Sequence, residues 1–490
     1  MTPIVIIGTG FSGLGLAIRL KLSGRNDFVI LERASEVGGT WRDNVYPGCA
    51  CDVQSHLYSF SFAPNPEWSR AYSPQPEILS YLKACVEKFD LSSHIRFNCA
   101  VESAAWNSRE PCWEIATSQG EVKARSLVLA VGPLSEPALP KIEGLETFPG
   151  ARFHSAQWAP EFSAKGLRVG VVGNGASAVQ FIPILQKQVS KLISFQRTPA
   201  WVVPQPNRKF ADFEKRILKR VPTVQASLRG WIFWTREIFS SFFRHPKLMK
   251  LVEAYSRYRL KQDVSDPVLR AKLTPTYTIG CKRILLSDTY WKALASPNAD
   301  VVTDPILRIE GSSVVTEAGR FDVDALIFAT GFRVTDSPFY DRIRGTDGVT
   351  LTEAWQGSPK AYLGLSHSGF PNLFFLLGPN TGLGHTSVVL MVEAQIDHLL
   401  KVLERVRAAG LTRIEPDTAA QAAFVARVDR QLQATVWNAG GCKSWYLDRT
   451  GRNSTIWPKS VVSYRNLMNA TGLEGYVETK DTTARFKTDS

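Results

Sequence analysis

The chain has 490 residues, 44% hydrophobic and 21% charged, an ordinary globular mixture with room for about three domains. Seven scattered cysteines with no C-x-x-C pair favour neither a disulfide framework nor a zinc site, and no metal is expected. A net charge of +13 admits nucleic acid or anionic lipid, but no nucleic-acid motif accompanies it, so anionic dinucleotides are the expected partners and nucleic acid is not.

Met1-Thr-Pro runs straight into Ile4-Val-Ile-Ile7 with no basic stretch or cleavage site, which reads as a strand rather than a signal peptide. No apolar run approaches the roughly 18 residues that would span a bilayer, and the expected compartment is the cytoplasm. The turn Gly8-Thr-Gly10-Phe11-Ser12-Gly13 follows, then an apolar pattern to Leu22, then Phe28-Val-Ile-Leu31 closing on Glu32. Strand, glycine turn, helix, strand and terminal acid form a complete nucleotide-binding βαβ unit. The glycines let the backbone approach a pyrophosphate at a helix start, where unpaired N–H groups favour anions, and Glu32 accepts hydrogen bonds from a ribose. Ser126-Leu-Val-Leu-Ala-Val-Gly132 reads as a further strand of the same module.

Next comes Phe148-Pro-Gly150-Ala-Arg-Phe-His154-Ser-Ala-Gln-Trp158. It reads as a linker holding two nucleotide modules at a fixed distance, because a hydride passes only between atoms nearly in contact. Gly150 suits a bend, His154 orders the linker, and Trp158 packs; neither is assigned proton transfer. A second unit repeats the pattern: Arg168-Val-Gly-Val-Val172, Gly173-Asn-Gly175-Ala176-Ser177-Ala178, a helix through Leu185, then Lys191–Phe195. Arg197 follows Gly173 at the interval by which Glu32 follows Gly8. A carboxylate repels a 2′-phosphate, whereas a guanidinium pairs with it. The second site is therefore read as an NADPH site, with Arg197 and the adjacent Thr198 at the cofactor. The first suits a dinucleotide lacking that phosphate.

Residues 206–275 lack glycine-rich turns and are long, aromatic and basic, which reads as a helical insertion in the NADPH module. Its apolar width leaves three uses open: packing on that module, lining a substrate entrance, or touching a membrane surface. Beyond it, Lys282-Arg283 precedes the apolar run Ile284-Leu-Leu286, which argues for burial of the cations. Ala325-Leu-Ile-Phe-Ala-Thr-Gly-Phe332 and Asn372-Leu-Phe-Phe-Leu-Leu-Gly378 read as buried strands, the second leading through Pro379-Asn380 to His385 and a long helix. The expected architecture is α/β with two Rossmann-like dinucleotide-binding domains. The first takes 1–142 and 370–490, the second 143–205 and 276–369, with the insertion at 206–275.

The pattern F-x-G-x-x-x-H-x-x-x-W at 148–158 resembles the fingerprint of the type I Baeyer–Villiger monooxygenases, flavoenzymes that insert one oxygen of O2 beside a ketone carbonyl. It departs at Ala159, where that family shows Pro or Asp, and at Ser155, where Thr is common. Tyr46-Pro-Gly-Cys-Ala-Cys-Asp52 and the Lys282-Arg283 pair match further family segments. The resemblance implies FAD in the first site, with Gly39, Thr40 and Trp41 along it and Tyr72 and Gln75 close by. A helix start near Asn380 and His385 would face the flavin ring. Arg283, paired with Asp52, is the implied catalytic residue, stabilising a C4a-peroxyflavin; Lys282 joins Arg197 at the 2′-phosphate. Trp445 of Ser444-Trp445-Tyr446 would border the substrate pocket. The implied activity converts ketones to esters or lactones with NADPH and O2, and sulfides as well. The alternative is a flavin monooxygenase that hydroxylates amines or sulfides. A disulfide reductase would need a redox cysteine pair near the flavin, and none is seen.

Overall fold

Thr2–Ile7 is a run of apolar, mostly β-branched residues, the composition that suits a strand covered on both faces. In the computed structural model, which describes residues 2–480, it lies inside an eight-stranded sheet. It pairs in parallel with Phe28–Leu31 on one side, Ile4 beside Phe28 and Ile6 beside Ile30. On the other side it pairs with the end of Gly120–Leu129. Leu373–Phe375, from the far end of the chain, lies parallel to the same strand. An antiparallel meander of Val101–Asn107, Cys112–Thr117 and Gly120–Leu129 leads back into the sheet.

The second sheet has five parallel strands in the order Ala299–Val302, Lys191–Phe195, Arg168–Val172, Ala325–Phe328, Ala151–His154. It carries its own antiparallel meander, Ile306–Glu310, Ser313–Thr316 and Gly319–Asp322. The central strand of each sheet ends in a glycine that no other residue could replace without strain. Gly8 has φ +104°, and a Cβ there would lie 2.7 Å from the Ala130 carbonyl oxygen. Gly173 has φ +103°, and its Cβ would strike the Ala329 carbonyl oxygen. Both turns tuck under the exit of the neighbouring strand, so the collision is the same one twice. The predicted α/β class with paired Rossmann-like sheets is the observed one.

Four expectations change. The 148–158 segment is no free linker: Ala151–His154 is the edge strand of the second sheet, with His154 beside Phe328. Phe148 is buried against Phe195, Leu326 and Phe328, and a Cβ on Gly150 would collide with the Asp324 carbonyl. The return to the first sheet comes earlier than 370, since Ile343–Arg344 pairs with Val101–Asn107 and Trp355 packs in that sheet's core. Cys281 and Cys442 form a disulfide across 161 residues of sequence, with S–S 2.09 Å. Spacing of that length leaves no pattern in the sequence.

The insertion is helical, as its composition predicts: Asp212–Arg220, Pro222–Arg244, Pro246–Asp263 and Pro267–Lys272. Three of these helices begin on proline, where a fixed φ helps and the missing N–H is not needed. Its packing is broader than expected, because it grips both modules. Ser256 donates to the Val202 carbonyl of the second module at 2.7 Å. Arg229 donates to the carbonyls of His56 (2.7 Å) and Ser59 (3.1 Å) in the first. No helix among the described residues is long and apolar enough to cross a membrane.

Glu237 is the insertion's most deeply buried carboxylate, at 6% exposure. It accepts from the backbone N–H groups of Val461 (3.1 Å) and Val462 (3.2 Å), capping the helix Val461–Ala470, and meets His385 Nε2 at 3.3 Å. Burial opposes its charge, but His385 and the two N–H groups hold its pKa below the ordinary value. Glu237→Ala leaves all three donors without this acceptor and is predicted to lower stability by about 3 kcal/mol. Glu237→Gln should lose less, and urea midpoints at unchanged slope would measure both.

Candidate active site

The two sheets meet at a cavity of about 1250 Å³. Its walls include the first glycine turn (Gly8, Gly10, Phe11, Ser12) and the second (Gly173, Gly175, Ala176, Ser177). The helices that follow, Phe11–Leu22 and Ala176–Leu185, start without a side-chain cap. Their first-turn N–H groups are thus open to an anion. A Cβ on Gly10 would meet nothing within 4 Å, so the turn leaves room for a group lying on it. Gly13 differs: a Cβ there would strike the Gly8 carbonyl, so it serves the packing of helix on strand.

Glu32 lies on the same wall, buried. One carboxylate oxygen accepts from Thr9 N (3.0 Å) and Thr9 Oγ1 (2.6 Å); the other accepts from Ala34 N and Arg42 Nη1, both at 3.0 Å. It therefore braces the glycine turn as well as facing the cavity. The matching position in the second module holds Arg197, exposed on the cavity wall beside Thr198. Lys282 lines the same region, and burial together with the Arg197 charge pushes its pKa below the ordinary value. Neither cation forms a salt bridge among the described residues. Two neighbouring cations without a carboxylate make an anion site.

Arg283 and Asp52 form the central pair. Arg283 Nε and Nη2 donate to the two Asp52 oxygens at 2.6 and 2.7 Å, a two-point contact between chain segments 231 residues apart. Burial opposes the charge of Asp52, but the guanidinium holds its carboxyl below the usual range. The carboxylate in turn raises the pKa of Arg283. Both line the cavity and are half-buried. Gln180, on the second module's helix, clamps the Asp52 segment: its Oε1 accepts from Tyr46 Oη at 2.9 Å, and its Nε2 donates to the Ala50 carbonyl at 2.9 Å.

A pyridine nucleotide-disulphide oxidoreductase family model matches residues 5–211. A Baeyer–Villiger monooxygenase of Streptomyces coelicolor is 47% identical over 96% of this chain and 92% of its own. This chain belongs to the Baeyer–Villiger monooxygenase family. Among solved structures, an oxidized steroid monooxygenase bound to NADP superposes with TM-score 0.86 at 31% identity, covering 98% of this chain and 99% of that one. OTEMO in complex with FAD and NADP gives 0.89 at 29% identity with the same coverage.

In this Baeyer–Villiger family member, Gly39, Thr40, Trp41 and Trp445 also line the cavity. Trp445 is 42% exposed at its rim. Other predicted residues stand elsewhere. Asn380 spends its amide on the carbonyls of Asn453 (2.8 Å) and Ile456 (3.1 Å) and accepts from Arg452, shaping a loop instead of facing a ring. His385 turns to Glu237. Tyr72 and Gln75 stand one layer behind the wall: Arg236 donates to the Tyr72 hydroxyl at 3.1 Å, and Gln75 donates to the Trp41 carbonyl. His154 Nδ1 accepts from Ala156 N at 3.1 Å, and Trp158 packs on Phe153 and Phe181.

Sequence reasoning missed three residues: Gln180, Arg236 and Tyr446. Arg236, on the insertion, donates to Gln54 Oε1 at 3.0 Å, and its charge helps hold Asp52 ionised. Tyr446 is fully buried near Arg283, and burial pushes its hydroxyl up to about 12. The only advance signal for Tyr446 was its place beside Trp445. The Cys281–Cys442 sulfurs join the segments that carry Arg283 and Trp445 without lining the cavity themselves.

Because the folded Asp52 pKa lies below the unfolded value of about 3.9, its stabilisation is complete at neutral pH and disappears as pH falls through the lowered value. Asp52→Asn strands Arg283 and is expected to destabilise by about 2 kcal/mol at pH 7. The gap between wild type and variant should stay constant above about pH 5 and close below about pH 4. Urea unfolding across that range checks the sign.

Proposed function

We propose that the cavity holds FAD against the first glycine turn and NADPH against the second, and that the chain oxidises ketones to esters or lactones. The balance is ketone, O2, NADPH and a proton in; ester, NADP+ and water out. FAD, when bound, supplies the chemistry that carries electrons from NADPH to O2 and delivers one oxygen to the ketone. The residues present fit both groups: two uncapped helix starts for two pyrophosphates, a buried carboxylate at the first ribose position, and an unpaired cation couple at the second.

One observation supports the reading most: a guanidinium held at two points by Asp52 on the wall between the turns. Arg283 keeps its charge at every working pH and presents a planar set of N–H donors to negative charge that develops during oxygen transfer. Asp52 fixes the direction of those donors. Lys282 and Arg197 select the phosphorylated nicotinamide nucleotide. Trp445, at the rim, borders the opening through which a ketone enters. The proposed compartment is the cytoplasm.

Arg283→Ala is expected to retain yellow FAD while ester formation falls about 10²- to 10³-fold. Mass analysis of product against NADPH consumed is the measurement, and normal ester yield removes Arg283 from this role. Arg197→Ala should raise KM for NADPH about tenfold or more and leave KM for NADH nearly unchanged. An equal rise for both nucleotides would deny the 2′-phosphate contact. A simple ketone left untouched while an alkyl sulfide is oxidised would favour the hydroxylating alternative.

A further inference from the structure

The helical insertion has an inner face occupied by the contacts described above and an outer face with no partner. On the outer side of Pro222–Arg244, Trp231, Trp234 and Ile238 follow one another at three- and four-residue steps, so they form one stripe. They are 64%, 58% and 67% exposed. The next helix, Pro246–Asp263, repeats the arrangement with Leu251, Tyr255 and Tyr258, exposed by 68%, 50% and 58%. The two helices pack against each other, and with Val224 and Leu248 they leave eight large apolar side chains in water.

The exposed charges on these two helices have one sign. Arg244, Lys247, Lys250, Arg257 and Lys261 are exposed. The three carboxylates of these helices all turn inward. Glu237 caps Val461–Ala470, Glu253 accepts from Ile279 N at 3.0 Å, and Asp263 faces Lys292 at 3.7 Å. No carboxylate on either helix is exposed.

We propose that this helical hairpin docks the protein on an anionic lipid surface. Indole and phenol rings with an apolar body and a polar tip settle at the headgroup level, and long basic side chains reach the phosphates beside them. Each lysine or arginine near an anionic leaflet strengthens binding about fivefold. A second copy of the chain suits the face poorly, because two-fold pairing would set cation against cation. The helices lie on the surface and do not enter it deeply, since neither is apolar enough to span. The inference does not depend on the ketone reading, because its test reads binding to lipid and not turnover.

The experiment sediments the purified full-length chain with phosphatidylcholine vesicles and with vesicles rich in phosphatidylglycerol. Pelleting with the anionic vesicles alone, reversed by about 0.5 M salt, is the expected result. Trp231→Ser with Trp234→Ser should weaken binding about tenfold or more. Lys247→Glu, Lys250→Glu and Lys261→Glu together should weaken it at least about a hundredfold. Circular dichroism melting identical to wild type establishes that the variants are folded. No pelleting with anionic vesicles, equal pelleting with both kinds, or undiminished binding by the folded tryptophan variant would overturn the proposal. So would a dimer in sedimentation velocity that the tryptophan variant dissolves, which would give the face to a second copy.

Discussion

The two-point contact between Arg283 and Asp52 is the interaction around which the site is built. A guanidinium taken out of water needs an anion in good geometry, and a carboxylate placed there needs the guanidinium equally. Neither residue could be held by its own segment. Gln180 ties the Asp52 segment to a helix of the second module, and Arg236 adds charge from the insertion. The Cys281–Cys442 disulfide ties the loop before Arg283 to the segment that carries Trp445 and Tyr446. The pair is therefore a product of five parts of the chain; four of them also form wall of the cavity, and the insertion braces the pair from behind it.

Duplication supplies the cavity those parts enclose. Both sheets end a central strand in a left-handed glycine pressed against a carbonyl of the neighbouring strand's exit, and both follow it with an uncapped helix. The turns are equivalent in geometry, so in the proposed reading discrimination between nucleotides falls to the residue at the end of the next strand. A carboxylate braced by Thr9 and Arg42 stands at one, and a free guanidinium with a neighbouring lysine at the other. Phosphate geometry is set by backbone, and charge by one side chain.

What was legible in the sequence was local in its physics. The glycine turns, Glu32 and Arg197 could be read because strand, turn and helix are consecutive and their spacing is forced by the unit they make. Direction was not legible. Asn380 and His385 sit in the loop before a helix, as their spacing suggests, yet both point into the protein, because buried partners at Asn453 and Glu237 take their polar atoms. The 148–158 motif was read as a linker because it lies between two repeats. It is an edge strand, a fact that depends on pairing with residues 325–328 far along the chain. The disulfide and Gln180 share that obstacle, since contacts across more than a hundred residues have no signature in spacing.

The insertion shows why charge sign needs the fold before it can be interpreted. Counted along the sequence, its basic residues are only part of a general excess. In the structure the three carboxylates of its two long helices serve N–H groups or a lysine that would otherwise be left unpaired, so their inward direction follows from internal need. Of the outward cations, Arg257 donates to the Pro275 carbonyl and lies over Trp201, whereas Lys247, Lys250 and Lys261 form no salt bridge among the described residues. Like charges repeated along adjacent helix turns repel one another, and large rings beside them lose free energy by remaining in water. A face that is unfavourable on both counts in the isolated molecule becomes favourable against a surface that is negative above and apolar just beneath.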